Sequence, residues 1–213
     1  MDPLALNNRG VAYFREGKLD QALVCFERAA QMDSEYVDAL YNRGLVHYRK
    51  GKYDRAILDC SQTLEIESQY AKAHNVRALA YVATKRYQSA IFDFGKAIEI
   101  GRWTLGEKYK DLQWVMNHLA RLQATYPDAQ FRDDKKAVEL AAEACELTDF
   151  KNHSFVDTLA AAYAAGGYFE SAIKWQSKAL ELVSETDTKL RGSYEERLDL
   201  YESGRPYYET AYK

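Results

Sequence analysis

Asn8-Arg9-Gly10-Val11-Ala12-Tyr13 returns 34 residues later as Asn42-Arg43-Gly44-Leu45-Val46-His47, and after the same interval as Val76-Arg77-Ala78-Leu79-Ala80-Tyr81. A second motif keeps the step: Gly17-Lys18-Leu19-Asp20-Gln21-Ala22, then Gly51-Lys52-Tyr53-Asp54-Arg55-Ala56, then Lys85-Arg86-Tyr87-Gln88-Ser89-Ala90. Two motifs held in one register over three copies define an internal repeat. Leu6, Gly10 and Tyr13 recur at three- and four-residue steps, the mark of one face of a helix, and Ala22, Phe26 and Ala29 do the same for a second helix. Gly17 and Gly51 fall between the two helices, where a helix end takes a left-handed residue. Lys85 at the third equivalent predicts a strained turn. Each unit is thus a helical hairpin, with Gly10 opposite Ala22 to let the helices approach. One hairpin cannot bury its apolar face alone, so neighbouring units must stack.

The surrounding chain agrees. Its 213 residues are 47% hydrophobic and 29% charged, a globular balance, and only Pro3, Pro127 and Pro206 interrupt a composition that favours helix. The formal net charge of -3 gives no basic field for nucleic acid. Apolar runs such as 159–165 are too short to insert in a membrane, and the N-terminus lacks the pattern of a signal peptide, so a cytoplasmic location is expected. Cys25, Cys60 and Cys145 are odd in number and widely spaced, which fits reduced core thiols.

The pattern of Leu6, Gly10 and Tyr13, then Ala22, Phe26 and Ala29, resembles the tetratricopeptide repeat (TPR). The second unit departs from it with His47 and Cys60, and Ser34 and Ser68 stand where the family has its closing proline. Residues 153–186 resemble a further unit, through Leu159–Tyr163, Gly166-Gly167, Ala172, Gln176 and Ala179. A degenerate unit precedes it, with Met116, Leu119, Ala120 and Leu122 on one helix and Ala137, Leu140, Ala141 and Ala144 on the next. Its loop near Tyr126-Pro127-Asp128 is longer than usual, and another insertion falls around Gly101–Asp111. Leu190, Tyr194, Leu198 and Tyr201 form the stripe of a last amphipathic helix, with Glu195, Glu196, Asp199 and Glu202 facing out. The resemblance implies an all-α fold, a right-handed α-solenoid in one domain over 1–213. The repeats are placed near 3–36, 37–70, 71–104, 112–149 and 153–186, with a C-terminal capping helix at 188–202. Residues 132–208 are similar to the closing segment of many bacterial TPR proteins, which implies a bacterial source.

The resemblance also implies function: a protein–protein interaction scaffold or adaptor, not an enzyme, that holds a partner's peptide segment in the groove lined by the first helices. Candidate groove residues are Asn7, Asn8, Tyr41, Asn42, Tyr48, Arg49, Lys72 and Asn75, which mix amides, aromatic area and positive charge. Arg77 adds charge nearby. The partner is expected to offer a short, neutral-to-acidic segment, and the chain to belong to a larger assembly. An alternative is a co-chaperone module with a carboxylate clamp. Asn42 and Lys72 match two of its five places, and Asn7, Val11 and Val76 stand at the others, so the clamp is incomplete. From a different class, a thiol-dependent enzyme or redox sensor would use Cys60 with His47, the pair that replaces two packed aromatics. The competing reading makes that pair part of the core, with Tyr41, Tyr48 or Tyr53 filling the lost volume. His47, His74, His118 and His153 lack metal-ligand spacing, and no nucleotide-binding or hydrolase motif occurs, so neither metal nor cofactor is expected. Most of the 17 tyrosines, Tyr13, Tyr53, Tyr81, Tyr87 and Tyr163 among them, fall on packing positions, whereas Tyr41 and Tyr48 are candidates for accessible surface.

Overall fold

The computed structural model describes residues 2–105 and 111–209, with Thr104 and Leu105 by their backbone alone. These residues form eleven α-helices and no strand. The chain divides between Gly106 and Glu107 into two compact units.

The first unit holds three hairpins: α1 (Pro3–Arg15) with α2 (Leu19–Met32), α3 (Val37–Arg49) with α4 (Tyr53–Ile66), and α5 (Ala71–Ala83) with α6 (Tyr87–Ile100). Asp2 caps α1, its carboxylate accepting the Ala5 N–H at 2.6 Å, and Pro3 opens the helix where no amide is needed. The hairpin turns share one chemistry. The Gly17 amide donates to Phe14 and the Lys18 amide to Tyr13, at 3.0 and 2.9 Å, closing α1 with Gly17 at φ 75°. This pair of bonds is the Schellman arrangement, which satisfies the orphan carbonyls of a helix end. Gly51 (φ 70°) ends α3 in the same way, and Lys85 adopts the same turn at φ 60° without the glycine. Between the helices of a hairpin the contact is close. A Cβ on Gly10 would lie 2.5 Å from the Phe26 ring. Phe26 itself is 1% exposed, and burying such a side chain contributes roughly 1.5–3 kcal/mol. Successive hairpins interlock chiefly where the first helix of one packs on the second helix of the hairpin before it: Leu40 of α3 packs into a cluster with Leu6, Ala29 and Ala30. Residues 101–105 continue α6 as one π-helical turn, and the rest of the expected insertion, 106–110, lies outside the described residues.

The second unit contains α7 (Leu112–Thr125), α8 (Asp134–Glu146), α9 (His153–Ala165), α10 (Phe169–Leu182) and α11 (Thr188–Glu202). The long loop expected around Tyr126-Pro127-Asp128 is present and holds a 3-10 turn at Ala129–Phe131. Asp133, Asn152 and Asp187 cap α8, α9 and α11 through their side chains. A turn that the sequence did not announce ends α8, where Asp149 and Phe150 both take positive φ. Helix α11 packs on α10 as its stripe predicts. Tyr194 and Tyr201 are buried, Leu190 and Leu198 half-buried, and Glu195, Glu196, Asp199 and Glu202 lie on the outer side. Tyr201 closes over Ala160, Ala164 and Ala172.

Candidate functional site

The first helices of the first unit, α1, α3 and α5, carry the candidate groove residues. Asn42 donates from its amide to the Asn7 carbonyl at 2.9 Å, joining two neighbouring first helices. Asn7 is buried. Asn8, one residue on, is exposed and stands apart from that pair. Tyr41 and Tyr48 are half-buried and pack with Leu45 and Tyr70 around Cys60. Tyr41 lies 5.2 Å from the Tyr70 ring and Tyr48 5.8 Å from Tyr53, so both are core walls as much as surface. Tyr70 in turn donates to Asp38 at 2.8 Å. The Asn75 side-chain oxygen is buried with no hydrogen-bond partner among the described residues. Arg49 is exposed with its guanidinium 5.8 Å from the Phe14 ring, and Lys72 is exposed at the start of α5. Neither cation has a carboxylate partner among the described residues.

Arg77 is not part of that charge. It donates two hydrogen bonds to Asp93, at 2.7 and 2.8 Å, and one to the Ser61 hydroxyl at 3.0 Å. Asp93 is 1% exposed and also bonds His74 Nδ1 at 2.8 Å. Burial pushes the Asp93 carboxyl up, but the hydrogen bonds from Arg77 and His74 outweigh it and hold the group below its ordinary value. One repeat earlier, Arg43 grips the buried Asp59 in the same way, at 3.0 and 2.6 Å. The first hairpin breaks the ladder: Cys25 stands at the aspartate position, and Arg9 donates instead to the Tyr13 hydroxyl at 2.9 Å. The signal for this ladder was in the sequence, because both the arginines and the aspartates recur at the repeat interval.

His47 and Cys60 face different surroundings. His47 Nε2 lies 3.9 Å from Asp59, and burial lowers its pKa. Cys60 is wholly buried beside Leu64, Ala73 and Val76, and burial raises its pKa. No hydrogen bond links the two among the described residues. The thiol is therefore shifted away from the thiolate that a nucleophile requires. Of the clamp places, Val76 is buried against Cys60 and offers neither charge nor surface. Among the described residues no group of three His, Cys, Asp or Glu side chains could hold a metal ion, and no helix is long and apolar enough to cross a membrane.

The second helices carry a feature that the groove does not use. Val24, Leu58 and Phe92 are 49, 59 and 60% exposed, one per repeat at the same place. They set an apolar ladder on the second helices of the first unit.

Sequence-family models described as TPR repeat and Tetratricopeptide repeat match residues 10–51, and residues 37–70 and 71–100. Residues 10–100 belong to the tetratricopeptide-repeat family. Among solved structures this chain is similar to YrrB, a TPR protein with an unusual peptide-binding site, at 17% identity and a TM-score of 0.69, with 92% of each chain covered. It is also similar to a thermophilic TPR protein of Thermus thermophilus, at 22% identity and a TM-score of 0.61, covering 91% of this chain and 97% of that one. The MamA protein matches at 19% identity and a TM-score of 0.62, over 84% of this chain and 91% of its own. Among curated proteins no sequence matches. These likenesses show the TPR fold.

Proposed function

We propose that the protein is an interaction scaffold whose first unit holds a short, neutral-to-acidic peptide segment on the surface of α1, α3 and α5. The observation that carries this reading is the pair of exposed cations, Arg49 and Lys72, without carboxylate partners on first helices that also bear Asn8, Asn42 and Asn75. Arg43 and Arg77 on the same helices are neutralised by buried aspartates, whereas Arg49 and Lys72 are not. An extended segment would gain backbone hydrogen bonds from the asparagine amides and charge-assisted contacts from Arg49 and Lys72.

The test is affinity capture from the source cell, mapping of the bound segment, and calorimetry against point variants. Asn42→Ala should weaken binding by about 1–2 kcal/mol, the loss when one hydrogen-bonding partner is truncated. Lys72→Ala should weaken it more at low than at high salt, because exposed charges are screened. Leu58→Ser and Phe92→Ser on the second helices should leave binding unchanged. The opposite pattern, with the second-helix variants abolishing binding and Asn42→Ala silent, would place the partner on the Val24–Leu58–Phe92 ladder instead.

A further inference from the structure

The second unit carries a peptide of its own. Gly204 closes α11 at φ 66°, the Arg205 amide donating to Leu200 at 2.9 Å, and residues 205–209 leave the helix without regular structure. This segment runs to the end of α7. The Glu209 amide donates to the Thr125 carbonyl at 2.8 Å. That carbonyl ends its helix and has no partner within it. The Glu209 carboxylate pairs with Arg121, and the residue is only 8% exposed. The two preceding side chains are held in the same manner. Arg132 lies 4.4 Å from the Tyr208 ring, and Arg197 lies 4.7 Å from the Tyr207 ring. Three arginines, from α7, from the loop before α8 and from α11, thus each meet one of three successive side chains, Arg197 doing so with its guanidinium also paired to the buried Asp157. Aromatic faces attract guanidinium groups, and a carboxylate takes the strongest hydrogen bonds from one.

The repeat register shows what kind of surface this is. Ala120 stands where Gly10 stands in the first hairpin, so Arg121 occupies the place of Val11 and Asn117 the place of Asn7. Arg121 therefore projects from a first helix at a place equivalent to the groove positions of the first unit. The acid thus meets this first-helix position, while the Tyr207 ring packs against Tyr201, Ala160, Ala164 and Ala172 and the Tyr208 ring meets Arg132 of the loop before α8, so the stretch is seated across several elements as a bound segment would be.

We propose that this face of the second unit is a binding site for an extended segment of two aromatic residues followed by an acid. Tyr207–Glu209 is its resident, intramolecular occupant, and a partner segment of the same chemistry binds by displacing it. Because the tail is tethered a few residues from the site, its effective concentration is in the millimolar range, and free peptide must compete against that. The proposal is independent of the reading of the first unit.

The experiment uses the full chain and a fluorescein-labelled synthetic peptide with the sequence of residues 204–213, read by fluorescence anisotropy. Wild-type protein should bind the peptide weakly. Glu209→Lys, which releases the tail, should bind it at least about tenfold tighter, since only the tether's advantage is removed. Adding Arg121→Ala to that variant should abolish the gain, because the probe's acid then has no cation to pair with. Asn42→Ala in the first unit should change none of these values. Equal binding by wild type and Glu209→Lys, or a probe that ignores the Arg121 charge, would overturn the proposal. So would a Glu209→Lys chain that loses helicity or melts early without gaining affinity, because the tail would then be a structural strap.

Discussion

Replacing Arg77 with methionine isolates the energetics of the buried ladder. Methionine keeps most of the apolar stem but removes both hydrogen bonds to Asp93 and the bond to Ser61. Asp93 is 1% exposed, so the variant leaves a buried carboxylate with His74 as its remaining partner. Breaking one side of a buried ion pair costs about 3–5 kcal/mol. The low end applies here, about 3 kcal/mol, because the Arg77 side chain is 17% exposed and His74 still bonds the carboxylate. For a unit of this size each kcal/mol moves the midpoint by roughly 4–8 °C, so Tm should fall by ~12–24 °C for the transition of the first unit. The assay is thermal and urea unfolding followed by circular dichroism, on wild type, Arg77→Met, Asp93→Leu and the double variant. Apolar replacement of both partners removes the orphaned charge, so the double variant should lose less than the two single losses added together. The pH dependence has a fixed sign. The folded carboxyl lies below its ordinary value, so the unfolded chain binds the proton more readily. The stabilisation is complete above the unfolded value near pH 4 and fades as pH falls through the folded one, so the gap between wild type and Arg77→Met should close in acid. A cost below about 1 kcal/mol, or strictly additive losses, would refute the account of the ladder as a coupled buried network.

Other outcomes follow from single positions. Lys85→Gly should raise the melting temperature, since a left-handed lysine costs about 1–2 kcal/mol and the added glycine entropy about 0.4–1, and a thermal scan that shows no gain would argue against strain there. Cys60 should resist iodoacetamide in the native protein and react after unfolding, as mass mapping would show; rapid native labelling would revive a thiol-based activity with His47. Tyr201→Ala should cost about 3–5 kcal/mol in chemical denaturation, because its ring is fully buried over α9 and α10, and a loss under 1 kcal/mol would deny α11 a capping role.

The reading of Asn8 and Asn42 as one shared feature shows where sequence reasoning reaches its limit. Their equivalence in the repeat is genuine, yet Asn42 bonds to Asn7 rather than to Asn8. A helical register places a residue on a face to within a position or so, and hydrogen bonding between hairpins depends on how closely and at what angle they pack. Arg77 makes the same point for charge. On the repeat pattern it adds to the groove, but in the fold a buried aspartate sixteen residues away takes it. The recurrence of Asp59 and Asp93 was visible in the chain, but that they are buried was not.

What the sequence determined by itself was whatever repeats at short range: the hairpins, the left-handed turns at Gly17 and Gly51, the strained equivalent at Lys85, and the stripe of α11. Those features depend on contacts within a helical turn or within one 34-residue repeat, so periodicity encodes them. Only the tertiary structure decided which polar groups are buried together and where residues 205–209 lie. The Arg121–Glu209 pair spans 88 residues, and the side chains that hold Tyr207, Tyr208 and Glu209 come from elements scattered along the second unit. No local pattern specifies such a meeting, because it exists only once every intervening helix has packed.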